Sequence, residues 1–106
     1  MKVAEFDKLL KEEVLPKCLE IISSKGLAYS GLEDKFGNFK RCAKLAGMAP
    51  NQVWFIYYLK HHDALCAYLR GEYTDSEPIE GRITDLINYL FLLYGLVKEK
   101  QNESIS

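Results

Sequence analysis

The chain has 106 residues, of which 27% are charged and 48% hydrophobic, and its net charge is −1. This composition fits one folded domain and excludes attraction to duplex nucleic acid through bulk charge. No apolar run approaches the roughly 20 residues of a membrane span, and no signal-peptide pattern opens the chain. The expected location is therefore the cytoplasm, with no membrane partner. Cys18, Cys42 and Cys66 are widely separated and contain no C-x-x-C pair, so they read as reduced core thiols rather than metal ligands.

In chain order, residues 1–24 predict a first helix. Val3, Phe6, Leu9, Leu10 and Val14 recur at three-to-four spacing against a charged opposite side. Pro16 lies inside this pattern and is expected to kink the helix or split it after Leu15. Lys25-Gly26 is expected to end it. The next stretch, AYSGLEDKFG (28–37), predicts an irregular segment with two glycines, the aromatics Tyr29 and Phe36, and the acidic pair Glu33-Asp34. Asn38 predicts the N-cap of a short helix over Phe39–Ala46 that Gly47 closes.

The central stretch Pro50–Arg70, PNQVWFIYYLKHHDALCAYLR, predicts a helix about 30 Å long. Pro50 suits its first position and Gly71 its stop. Val53–Leu59 is apolar or aromatic on every face, as in a helix covered on all sides. After a polar turn, Ser76 predicts the cap of a last helix over Glu77–Lys100. Gly95 within it costs about 1 kcal/mol against Ala, which points to a close helix crossing. Residues 101–106 predict a disordered polar tail. The expected fold is all-α: one domain over residues 1–100, a bundle of four helices, one of them short, with no sheet.

Polar residues interrupt this apolar pattern in three places. Lys60, His61 and Asp63 lie in the waist of the central helix. Arg82, Asp85 and Asn88 follow at three-residue steps in the last helix, and Tyr29, Asp34 and Asn38 lie in or beside the irregular segment. A short connection makes the two long helices antiparallel neighbours, so their polar middles could face each other. Two readings follow. One is a buried salt-bridge network, Lys60 with Asp85 and Arg82 with Asp63. The other is a ligand pocket between these helices. There Lys60 and Arg82 would hold phosphate oxygens, and Asp63 and Asp85 would hold Mg2+ or orient the cations. Tyr29, Phe36 or Phe39 would stack on a base. His61 is a candidate general base; no zinc ligand set or Gly-rich phosphate loop accompanies it.

The order Y-S-G-x-E-D-x-F-x-N-F (Tyr29–Phe39), K-H-x-D-A (Lys60–Ala64) and S-E-P-I-x-x-R-I-x-D-x-I-N-Y (Ser76–Tyr89) resembles small phage-encoded proteins of the nucleotide modification associated domain class. The resemblance implies a viral protein tied to nucleotide metabolism in the host cytoplasm, without a defined chemistry. More distantly the chain is similar to all-α nucleoside triphosphate pyrophosphatases of the MazG type, whose paired acids bind magnesium. Asp63 and Asp85 match the second acid of each pair, while Lys60 and Arg82 replace the first. That replacement favours an anion over a metal. The expectation is a homo-oligomeric nucleotide-binding protein that sequesters or senses its ligand. The alternatives are a Mg2+-dependent pyrophosphohydrolase and a non-enzymatic interaction or assembly protein.

Overall fold

The structure, a computed structural model, describes the backbone of residues 1–105 and the side chains of residues 1–103. It is all-α, with no strand among the described residues. Helix α1 (Val3–Leu9) passes through one π-helical turn (Leu10–Val14) into α2 (Leu15–Ser30), so these segments form one rod. Then follow α3 (Gly37–Ala46), α4 (Pro50–Leu69) and α5 (Ile79–Ile105). No helix among the described residues is long and apolar enough to cross a membrane.

Five elements depart from the sequence expectation; the last helix starts at Ile79 rather than after a Ser76 cap, because Asp75 takes the Glu77 N–H at 3.1 Å and holds the turn before it. Pro16 neither splits nor stops the first helix. A proline ring clashes with the carbonyl four residues back and removes a donor; here that carbonyl, of Glu12, belongs to the wider π turn. The helix also runs past Lys25-Gly26. The Lys35 side chain crosses the helix at Gly26 and occupies the space a Cβ would take there. The actual stop is Gly31, at φ 73°, a backbone region that favours glycine.

Asn38 does not cap α3, which starts at Gly37. Its side chain instead accepts the Ser30 hydroxyl at 2.7 Å, and its backbone N–H reaches the same hydroxyl oxygen at 3.3 Å. At the far end, Gln101–Ile105 continues α5 rather than forming a tail; Ser106 lies outside the described residues.

Helices α4 and α5 pack as an antiparallel pair, and α2 and α3 lie on one face of that pair. The core forms where the two layers meet. Phe36, Phe39, Ala43, Val53 and Trp54 are buried there, with Tyr58, Tyr89, Leu92, Leu93 and Leu96 packed around them. The Trp54 indole N–H donates to the Tyr89 carbonyl at 2.7 Å and pins α4 to α5. The close approach expected at Gly95 is made by a ring rather than by a helix: Phe36 Cζ lies 2.7 Å from where a Cβ would stand. Lys40 bridges Asp34 and Glu99, both at 2.8 Å, and ties the α2–α3 turn and α3 to the far end of α5. The α1 half of the rod buries no residue.

Candidate functional site

The polar residues of the two long helices do not meet as one cluster. Helix α4 is fixed against α5 through Trp54 and His61, seven residues apart and so on one face. Asp63 lies about 200° around from His61 at 100° per residue, and its side chain is 80% exposed. Lys60 is exposed as well. Neither expected pair, Lys60 with Asp85 or Arg82 with Asp63, is present, and Asp63 cannot share a magnesium ion with Asp85 from the outer face. No group of three His, Cys, Asp or Glu side chains able to hold a metal occurs among the described residues.

Arg82 serves a different purpose. Its guanidinium pairs with Asp75 at 2.5 Å and Glu77 at 3.3 Å, and so straps the α4–α5 connection. The Asp75 hydrogen bond raises its pKa further. Its Nη1 lies 3.2 Å from His61 Nδ1. A guanidinium only donates, so Nδ1 accepts and the imidazole proton sits on Nε2. Burial, the largest influence, lowers the His61 pKa, against the opposing pull of Asp85. His61 is therefore neutral at pH 7, and its 3.6 Å approach to Asp85 is not an ion pair. Asp34 is likewise structural. It accepts the Phe36 N–H at 3.0 Å and pairs with Lys40, and that hydrogen-bonded cation holds its carboxyl below the ordinary value.

The remaining candidates do converge, but between α2, α3 and α5 rather than between α4 and α5. A cleft of about 80 Å3, open to solvent at its mouth, is lined by Tyr29, Asn38, Asp85 and Asn88. Phe39 and Tyr89 form its aromatic wall, Ile21, Ile22 and Leu92 its aliphatic one, and Lys25 and Lys35 stand at its edge. Asp85 is buried and meets Lys25 at 3.3 Å. The Tyr89 phenol is pushed up by burial and then by the Asp85 charge, so it stays protonated. Lys35 Nζ donates to the Ile22 carbonyl at 2.8 Å, which holds the ammonium over the α2 side.

Asn88 is the unusual member. It is 5% exposed, and neither Oδ1 nor Nδ2 has a hydrogen-bond partner in the protein. Buried amides in native proteins are nearly always satisfied. Here a donor and an acceptor, side by side, line a cleft.

Lys25 and Lys35 carried no sequence signal as site residues. Lys25 stood at an expected helix end, and Lys35 stood in an expected loop. The one available hint was Gly26, a glycine inside what is now seen to be a continuous helix. No family model, curated protein or solved structure matches the chain.

Proposed function

We propose that the protein binds a nucleoside or nucleotide in the α2–α3–α5 cleft and holds it without hydrolysis, as a homo-oligomeric nucleotide-binding protein of the phage class its motifs resemble. The observation that carries the reading is the unpartnered buried amide of Asn88. One amide face offers a donor and an acceptor together, which is the pattern of a heterocyclic base edge. Asp85 adds an acceptor beside it, and Phe39, Tyr89 and Tyr29 supply flat apolar surface for a ring. Lys25 and Lys35 at the edge each have donors to spare for a phosphate. With Asp85 they leave the cleft one positive charge in excess.

This reading differs in place from the pocket the sequence suggested. Arg82 is occupied by two carboxylates and Lys60 is remote, so neither is offered as a phosphate ligand. The test is a calorimetric titration of nucleosides and nucleotides into the wild-type protein in the presence of a chelator. Binding that persists in chelator, weakens on removal of the base and falls in Lys25→Met supports it. Absence of binding across all bases, or turnover that requires magnesium, would overturn it.

A further inference from the structure

The uncovered side of the α4–α5 pair shows a second pattern. Along α5, Ile83, Ile87, Leu90, Tyr94 and Val97 are spaced by four, three, four and three residues. Along α4, Phe55, Leu59, His62, Cys66 and Leu69 repeat the same spacing. Alternating steps of four and three make the seam of a helix that packs lengthwise on another helix. Both ladders are partly open: Leu90 is 51% exposed, Tyr94 68%, Phe55 50% and Leu69 74%, while Leu59, His62, Cys66 and Ile87 are half-buried. No Asp, Glu, Lys or Arg falls on either one.

The ladders share a side. Helix α4 meets α3 through Val53 and α5 through Trp54, and Phe55 and Leu59 lie beyond Trp54, away from Val53. Helix α5 turns Asp85, Asn88, Tyr89 and Leu92 toward the cleft, with the Tyr89 ring also against His61 of α4, and Ile83 borders the groove beside the rod, which leaves Ile87, Leu90, Tyr94 and Val97 on the opposite side.

The size of the molecule indicates how much is uncovered. A monomeric protein of 12.2 kDa exposes about 6,100 Å2, whereas this chain exposes 7822 Å2. Its radius of gyration is 16.0 Å, against about 13 Å for a compact chain of this length. The excess is about 1,700 Å2, to which the projecting rod of residues 3–14 contributes along with this face. Roughly 800 Å2 per partner makes a standard interface, so half of the excess suffices.

We infer that a second copy of this chain covers the face, its α4–α5 pair laid against the first to close a four-helix bundle. The occupant is a second copy because the face is its own complement. Each chain brings two parallel-lying apolar ladders, two chains bring four helices, and a two-fold arrangement buries every ladder with none left over. The face lies across the α4–α5 pair from the nucleotide cleft, so both can be occupied at once.

The test is sedimentation equilibrium in the micromolar range. Wild type should sediment at twice 12.2 kDa, and Leu90→Glu should weaken association on the order of a hundredfold, because it buries an unpaired carboxylate. Leu32→Glu, at a 91% exposed position in the α2–α3 turn, should leave it unchanged. Should Leu90→Glu unfold the chain, the wild-type melting midpoint must rise with protein concentration, as it does when folding and association are linked. A 12.2 kDa wild-type species would overturn the inference, as would an oligomer indifferent to Leu90→Glu or a midpoint independent of concentration beside an unfolded variant.

Discussion

Replacing Asn88 by leucine should make the free protein more stable and unable to bind. The two side chains share the same branching, so the change opens no cavity, and the larger methyl groups of leucine have the cleft to extend into. What changes is that a buried donor and a buried acceptor, both without partners in the protein, become methyl groups beside Leu92 and Phe39. An unsatisfied buried group costs about 1–3 kcal/mol. Allowing for partial relaxation around the amide, a gain of roughly 2 kcal/mol is expected, which raises the melting temperature of a domain this size by roughly 10 °C. The assay is denaturant and thermal unfolding of wild type and Asn88→Leu, each with and without a saturating nucleotide. The stabilisation that wild type gains from ligand should vanish in the variant. A variant less stable than wild type by 1 kcal/mol or more would refute the reasoning, because it would show that the amide holds the fold together.

Two further outcomes follow from the polar residues around α5. Burial lowers the His61 pKa, so between that lowered value and the ordinary one near 6.5 the unfolded chain binds more protons than the folded one. Stability should therefore fall as pH drops through that window, and His61→Gln should flatten the dependence in urea titrations at about pH 7.5 and about pH 5; equal wild-type midpoints at the two pH values would contradict this. Arg82→Met should destabilise the free protein by about 1 kcal/mol or less, because its partners Asp75 and Glu77 are each more than a third exposed and screened by water. It should leave nucleotide affinity within a factor of about two, and a large loss of affinity with intact stability would return Arg82 to the site.

The helices were legible because their apolar residues recur at helical spacing and because Pro50, Gly47 and Gly71 sit where helices start and stop. The joint between α2 and α3 was not. Lys25-Gly26 has the composition of a helix end, and nothing in the sequence shows that the helix runs on through it and that the Lys35 side chain crosses at that glycine. The site was half legible for a related reason. Spacing along one helix groups Arg82, Asp85 and Asn88, but three-residue steps drift by about 60° each. The stripe therefore divides, with Arg82 toward the connection and Asp85 and Asn88 toward α2 and α3. Likewise Lys60 and Asp63 share a stripe that faces outward, because Trp54 and His61 take the inward one. Which face of an apolar helix turns inward is decided by its neighbours, and one sequence does not name them.

Trp54 gives the molecule an optical handle. It is the only tryptophan, it is buried, and its rings stack on Tyr58 at 5.0 Å while its N–H bonds to the carbonyl of the residue next to Asn88. Its emission therefore reports on one junction, where the wall of the cleft meets the seam of the α4–α5 pair. A base bound as proposed against Tyr89 would disturb the indole from one side, and a second subunit pressing on Phe55 would disturb it from the other, through Tyr58. Intrinsic fluorescence can thus follow occupancy and assembly in the unlabelled protein, and a single probe can time which comes first.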